Sequence, residues 1–289
     1  MRWLLAACMI LTLPGVALAK DRQSSRCVTR GAEISSLGAA LFAQFRSVQR
    51  DAGVWLSYVG QSTYRIETAD GVSVLTDFDA GTGTGTVAPD VVTIDRSAAS
   101  NWSAVGEREA PFVLKGGADA GGAAGSHLVL GDIRIRNVPT SATPSGDTGP
   151  DGSSVFIFEV GGLCIGHLGR LQRKLAEEEL VAIGRLDVVM VQGDASLLPP
   201  REEMIDLLSE VRALLILPMH YAPDGSPDDF LTAMDGALPV VRREEGAIEV
   251  SLRTLPGVPT IMVLEPRGAT PGDDDAGTGG DLPLPLLRD

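Results

Sequence analysis

The sequence predicts an α/β fold in which two β-sheets pack face to face between outer helices, a four-layer αββα sandwich. Strand-like apolar runs come in pairs in the first half of the chain, and strands alternate with amphipathic helices in the second half. The chain has 289 residues, of which 44% are hydrophobic, so it is long and apolar enough to bury the core of one large domain.

The first half of the chain is predicted to form extended strands at residues 54–66, 72–78 and 87–94, and again at 127–138 and 154–168. A Gly/Thr run, GTGTGT, precedes the third of these strands. It lacks the Lys-Ser/Thr pair of a phosphate-binding loop, so we predict a flexible turn there.

The second half alternates helices with short apolar strands. We predict a helix at residues 172–183, a buried strand at 186–191, a second helix at 200–212 and another buried strand at 213–219. Glu202 and Glu203 lie in the first turn of the second helix, where the helix macrodipole favours acidic side chains.

The amino terminus has the pattern of a secretory signal. Arg2 precedes an apolar run, and Ala17-Leu18-Ala19 fits a small-x-small cleavage site, so residues 1–19 are predicted to be removed and the protein to be periplasmic or secreted. A lipoprotein signal ending at Cys8 is the alternative, although the apolar run before this cysteine is short. We predict no membrane span.

The remaining chain is predicted to divide into three parts. Residues 20–50 form a leader, residues 51–265 form the folded domain, and residues 266–289 form an acidic Gly/Pro-rich tail. This tail has little to bury, so we expect it to be disordered.

Charge and rare residues limit the classes of function. A net charge of −14 and a pI near 4.6 argue against binding to nucleic acid or to an anionic membrane. Three histidines are too few for a binuclear His-rich metal centre. Cleavage of the predicted signal at residues 1–19 removes Cys8 and leaves Cys27 and Cys164. These two cysteines either form a disulfide or, in the alternative, Cys164 packs as a buried strand residue.

Six segments, in this order along the chain, resemble the metallo-β-lactamase superfamily and, within it, the ascorbate-6-phosphate lactonase-like branch. They are residues 57–78, 89–102, 137–140 (NVPT), 155–171, 184–194 and 215–221 (LILPMHY). The resemblance implies a hydrolase in which zinc-bound hydroxide attacks a carbonyl or phosphate centre.

Most of the zinc ligands that the resemblance implies are replaced in this sequence. The family's H-x-H-x-D-H loop and its later ligands correspond to Arg96, Ala98, Ser100, Asn101, a position near Ala142, Arg170 and His220. His220 alone retains a ligand side chain. We therefore predict no catalytic zinc, with zinc bound by His220 and unconventional partners as the alternative.

The two arginines leave two hypotheses open. Arg96 and Arg170 form a pocket for a small anion, because a guanidinium group suits carboxylate or phosphate. Alternatively, they are structural filler, with Arg96 paired with Asp77, Asp79 or Asp95.

Asp77, Asp194 and Tyr221 lie at or beyond the ends of predicted strands, and we predict that they support the same pocket. A loop cap is the alternative for Asp194. His167 is expected to be a hydrogen-bonded strand histidine rather than a catalyst.

Three functions follow from these alternatives. The first is a non-catalytic binding or interaction protein, whose partner is unknown. The second is a metal-dependent hydrolase of lactonase, esterase or phosphodiesterase type. The third is a structural envelope protein whose acidic tail contacts a partner.

Overall fold

Two β-sheets pack face to face in this protein, which confirms the predicted α/β class. The computed structural model describes residues 25–28, 53–78, 88–95, 110–116, 126–140, 153–169, 171, 173–193, 199–219 and 227–266.

The first sheet has six strands, in the order β13-β1-β2-β3-β4-β5. These strands are β1 (Val54–Gly60), β2 (Thr63–Glu67), β3 (Ser73–Leu75), β4 (Val91–Ile94), β5 (Phe112–Lys115) and β13 (Ala247–Val250). β1 pairs antiparallel with both β2 and β13, whereas β4 pairs parallel with β3 and β5.

The second sheet has eight strands, in the order β12-β14-β11-β10-β9-β8-β7-β6. These strands are β6 (His127–Leu130), β7 (Ile133–Thr140), β8 (Ser153–Val160), β9 (Leu163–His167), β10 (Val188–Gln192), β11 (Leu215–Met219), β12 (Val240–Arg243) and β14 (Thr260–Leu264). From β9 to β12 all pairings are parallel, so the carboxyl ends of these strands meet at one edge of the sheet.

Three helices cover the outer face of the second sheet in the part of the chain that the structure describes. They are α1 (Glu177–Ile183), α2 (Arg201–Glu210) and α3 (Asp228–Ala233). Their buried side chains, such as Met204 and Phe230, pack in one cluster with Val189 and Ile216 of the sheet. None of these described helices has the length and apolar character needed to cross a membrane.

The main core lies between the two sheets. Leu56 and Ile66 of the first sheet pack in one buried cluster with Phe156, Val188 and Leu217 of the second. Strands β8 to β11 of the second sheet are buried on both faces, because helices cover one face and the first sheet covers the other, which is why their sequences read as continuous apolar runs.

Three runs that the sequence predicted as single strands are instead β-hairpins, and those three predictions are wrong. Residues 54–66 contain β1 and β2, residues 127–138 contain β6 and β7, and residues 154–168 contain β8 and β9. Each turn contains glycine in a positive-φ conformation, as at Gly60, Gly131 and Gly161. Glycine adopts this conformation at low steric cost, so the chain reverses within two residues.

Residues 25–28 are tied to the second sheet, although they fall within the predicted leader. Cys27 forms a disulfide with Cys164 of β9, with 5.9 Å between the Cα atoms. The Ser25 hydroxyl donates to Glu159 Oε1 at 2.5 Å, and the backbone N–H of Arg26 donates to Glu159 Oε2 at 3.1 Å. This short segment therefore packs as part of the domain.

Arg136 completes this attachment by joining β7 to β8 and to the end of α1. Its Nε lies 3.1 Å from Glu159 Oε1, and its two terminal nitrogens donate to the carbonyls of Ala182 and Ile183 at 2.8 and 2.7 Å. Both carbonyl groups belong to the last turn of the helix, where carbonyl groups have no N–H partner within the helix. Arg136 therefore supplies the missing donors.

A second ion pair lies beside the disulfide. Arg185 contacts Cys164 Sγ at 3.3 Å and Asp187 Oδ2 at 3.4 Å. The same oxygen of Asp187 accepts the backbone N–H of Cys164 at 2.8 Å. We call Ser25, Cys27, Arg136, Glu159, Cys164, Arg185 and Asp187 the anchor cluster.

Candidate functional site at the strand ends

Polar side chains from both sheets meet where β4, β9 and β10 end. This strand-end cluster consists of Asp77, Asp95, Ser153, Ser154, His167, Gly169 and Gln192. Four of them directly follow, end or start a buried strand, namely Asp95, Ser153, His167 and Gln192, and the packing of the two sheets brings them to one edge. In open α/β sheets this edge is where ligands bind.

Asp95 is the most constrained member of the strand-end cluster. It follows β4 and only 1% of it is exposed. The Ser153 hydroxyl lies 2.9 and 2.7 Å from its two carboxylate oxygens, and the backbone N–H of Ser154 donates to Oδ1 at 2.6 Å. The carboxyl group of Asp95 therefore joins the first sheet to the start of β8 in the second.

Asp77 lies close to Asp95 and forms a hydrogen bond with its backbone. Its Oδ1 accepts the backbone N–H of Asp95 at 3.0 Å. Asp77 itself has φ of 36°, and its own N–H donates to the Thr93 hydroxyl at 3.1 Å. A side chain that hydrogen-bonds the neighbouring backbone is the reason Asp tolerates this left-handed conformation.

The environment of Asp95 raises its pKa to about 6. Burial has the largest effect, because it disfavours the charged form, and the nearby negative charge of Asp77 adds to it. Hydrogen bonds from Ser154 and Ser153, and the proximity of His167, act in the opposite direction but are weaker together.

His167 is fully buried at the end of β9, and both of its ring nitrogens are engaged. Nε2 lies 2.9 Å from the carbonyl oxygen of Ser62, and Nδ1 accepts the backbone N–H of Gly169 at 3.2 Å. Since Nδ1 accepts, these hydrogen bonds assign the proton to Nε2. The prediction of a hydrogen-bonded strand histidine is confirmed.

Gly169 allows β9 to approach Asp95. It has φ of 58°, and a Cβ atom at this position would lie 2.5 Å from Asp95 Oδ2. A larger residue would be strained by the backbone conformation and would displace the carboxylate. Glycine at this position therefore permits the close approach of the Asp95 carboxylate to the chain that follows β9.

Gln192 ends β10 and is 2% exposed. Its Nε2 donates to the carbonyl oxygen of Gly169 at 3.2 Å, whereas its buried Oε1 accepts no hydrogen bond from the residues that the structure describes. A donor stabilises a buried amide oxygen, so Gln192 offers this edge an acceptor for an N–H or O–H group.

Of the site residues predicted from the sequence, the structure describes Asp77, which lies in the strand-end cluster. The others lie outside the described residues: Arg96, Ala98, Ser100, Asn101, Arg170, Asp194, His220 and Tyr221. Four of them nevertheless directly follow a described strand-end residue, namely Asp95, Gly169, Gly193 or Met219. Gly193 and Met219 are themselves hydrogen-bonded through their backbones.

Sequence reasoning missed the central role of Asp95 and its partners. Asp95 was considered only as a partner of Arg96, and Ser153, Ser154 and Gln192 were not singled out. The available signal was the position of Asp95 and Gln192 at the ends of apolar strands, where a polar residue reaches the edge of the sheet.

The described residues of this edge do not fit a zinc ion. Zinc in catalytic sites takes three protein ligands, and within the described ranges no three His, Cys, Asp or Glu side chains lie close enough to hold a metal. To bind a metal through Nδ1, His167 would have to give up the hydrogen bond that it accepts from Gly169.

Comparison with known proteins identifies the family. Residues 55–220, more than half of the chain, match the model of the beta-lactamase superfamily domain. The chain belongs to this superfamily. No curated protein matches the sequence. The narrower resemblance to ascorbate-6-phosphate lactonases stays a prediction.

Two solved structures illustrate the likeness of fold. A protein from Thermotoga maritima, described as a Zn-dependent hydrolase, is 22% identical over 74% of this chain and 100% of its own, with a TM-score of 0.55. A protein from Parabacteroides distasonis, described as a metal-dependent hydrolase, is 12% identical over 75% of this chain and 94% of its own, with a TM-score of 0.50.

Proposed function

We propose that this protein is a non-catalytic binding member of the metallo-β-lactamase superfamily, and that it holds a small anion between Arg96 and Arg170. The observation that carries the proposal is the contact between Asp95 and Gly169. Asp95 and Gly169 directly precede Arg96 and Arg170 in the sequence. Their closeness supports a site that both arginines share.

The side chains at this edge favour binding over hydrolysis. His167 and Asp95 are engaged in hydrogen bonds that hold the two sheets together. The positions that the resemblance assigns to zinc ligands carry Arg, Ala, Ser and Asn. Two guanidinium groups offer fixed positive charge and hydrogen-bond donors to an anion, but no group that activates water.

Asp95 gives the proposed site a dependence on pH. Its negative charge lies near the proposed anion and weakens binding. Because its pKa is raised to about 6, protonation below this pH removes the charge. We expect anion affinity to increase as the pH falls through 6, and sulfate is the suitable probe because it does not titrate in this range.

We further propose that the protein works in the periplasm or outside the cell. The signal-like residues 1–19 support this location. The Cys27–Cys164 disulfide supports it as well, because disulfides persist mainly in oxidising compartments.

The anion site is tested by isothermal titration calorimetry with sulfate, inorganic phosphate, sugar phosphates and small carboxylates. An Arg96→Ala/Arg170→Ala variant should bind the best of these anions at least tenfold more weakly than the wild type. The matched control is Arg242→Ala/Arg253→Ala, which removes two exposed positive charges elsewhere and should bind normally. Equal affinity of the wild type and the Arg96/Arg170 variant would exclude the proposed pocket.

The non-catalytic assignment is tested by metal analysis of protein purified without chelators. Substoichiometric zinc and manganese, with no turnover of lactone or phosphodiester substrates, is expected. One zinc or manganese ion per chain, lost together with hydrolysis in His220→Ala, would instead establish the hydrolase alternative.

A further inference from the structure

A groove of about 670 Å³ lies on the outer face of the first sheet, on the strands β1, β2 and β13. Its lining includes Trp55, Glu67, Glu249, Glu245 and Arg243. None of these residues belongs to the strand-end cluster, so the groove is independent of the proposed anion site.

Strand register places a tryptophan between two glutamates in this groove. Trp55 of β1 pairs directly with Glu67 of β2 and with Glu249 of β13. Directly paired residues of neighbouring strands project from the same face of a sheet, with Cβ atoms about 5 Å apart. The indole is therefore flanked by a carboxylate on each side.

The groove is accessible and negatively charged. Trp55 is 48% exposed, whereas large aromatic side chains of this protein such as Tyr58 and Phe156 are buried. The lining contains three carboxylates against one guanidinium, which leaves two negative charges in excess. An uncovered aromatic face within such a surface is suited to a cation.

We propose that this groove binds an arginine side chain presented by an extended segment of a partner protein. The planar guanidinium stacks on the Trp55 indole and donates hydrogen bonds to the carboxylates of Glu67 and Glu249. Lysine offers neither the flat surface nor the forked donors, so arginine is preferred.

The open shape of the groove favours a peptide over a free small molecule. A small-molecule pocket encloses most of its ligand, whereas half of Trp55 faces solvent here. β13 is also an outer strand of its sheet in the described part of the chain. An extended segment can reach the groove across such an edge and gain additional backbone contacts.

The proposal is tested with blocked Gly-Arg-Gly peptides by calorimetry and tryptophan fluorescence. The arginine peptide should bind the wild type at least tenfold more tightly than the same peptide with citrulline, which has the same shape but no charge. A lysine peptide should bind with intermediate affinity. Failure of anion binding at the strand ends would not affect this result.

Variants locate the binding to the groove. Glu67→Gln/Glu249→Gln and Trp55→Leu should each weaken the arginine peptide at least tenfold, with unchanged circular dichroism spectra. Glu177→Gln/Glu178→Gln, which removes the same charge from the exposed start of α1, should bind like the wild type. The proposal is overturned by equal binding of arginine and citrulline peptides, by wild-type affinity of the groove variants, or by no binding at millimolar peptide.

Discussion

Glu159 of the anchor cluster and Asp95 of the strand-end cluster are both largely removed from solvent, yet the pKa values of these two carboxyl groups shift in opposite directions. Burial alone would raise the pKa of Glu159, but hydrogen bonds from Ser25, Arg136 and the Arg26 N–H together hold it below its usual value. The pKa of Asp95 is raised to about 6, because burial combines with the negative charge of Asp77.

The difference shows how neighbours decide what a buried carboxyl group does. Opposite charge and several donors surround Glu159, so it stays ionised and holds the amino-terminal segment on the sheet. Asp95 is buried beside a second carboxyl group, that of Asp77, so its pKa rises to about 6. Such perturbed groups concentrate at functional sites, which favours the strand ends as the binding region.

The largest effect is expected from removing the disulfide of the anchor cluster. Cys27→Ala/Cys164→Ala should lower the free energy of unfolding by about 5 kcal/mol, because the bridge closes a long loop across a sequence separation of 137 residues. Urea unfolding at neutral pH measures this loss. Wild-type protein unfolded under reducing conditions serves as control and should match the variant. A loss below 1 kcal/mol would mean that the anchor depends on its hydrogen bonds instead.

Arg136→Met tests the charge pairing within the same cluster. Removing the guanidinium leaves Glu159 buried without its cation and the last carbonyls of α1 without donors, which should cost about 4 kcal/mol. The comparison is Arg136→Met/Glu159→Gln, in which no unpaired charge remains and part of the stability should return. Equal unfolding midpoints for the two variants would contradict the role of charge pairing.

Asp95→Asn tests the opposite behaviour at the strand ends. Between about pH 4 and pH 6 the folded state holds a proton that unfolded Asp95 has lost, so the free energy of unfolding falls as the pH rises. This contribution, about 3 kcal/mol, is complete below pH 4 and lost above pH 6. Asparagine does not titrate, so the stability difference between wild type and variant should change across this window.

Urea unfolding of wild type and Asp95→Asn at pH 4, 5, 6 and 7 measures that change. A difference that stays constant over the whole range would show that Asp95 has an ordinary pKa in the folded protein.

The smallest effect is expected at an exposed ion pair. Arg242 lies 2.7 Å from Asp228, but their side chains are 55% and 67% exposed, so solvent screens the interaction. Arg242→Ala should change the free energy of unfolding by less than about 0.5 kcal/mol. A larger loss in urea unfolding would show that solvent does not screen this exposed ion pair.

The sequence predicted where the apolar runs lie, but not where the chain reverses within them. In residues 154–168, apolar and polar side chains do not alternate, because both faces of β8 and β9 are buried. Periodicity could therefore not separate the two strands. The Gly161-Gly162 turn was the available signal. Strands such as β13 and β14, and helix α3, were also not predicted, since their short segments carry weak local patterns.

The candidate site could be predicted only in part for the same physical reason. The family's zinc ligands occupy fixed positions in short motifs. The local sequence therefore showed which side chains stand at those positions in this chain. It did not show that Asp95 meets Ser153, which lies 58 residues further along the chain. Only the packing of the first sheet against the second brings these two residues together.

The sequence by itself determined the layered α/β class, the resemblance that the family match supports, and the arginines at former ligand positions. These properties depend on local periodicity and on motif spacing. The tertiary structure alone decided that Ser25 meets Glu159, that Cys27 meets Cys164, and that Trp55 lies between Glu67 and Glu249. Register between remote strands follows from packing of the whole sandwich, and no local stretch of sequence contains that information.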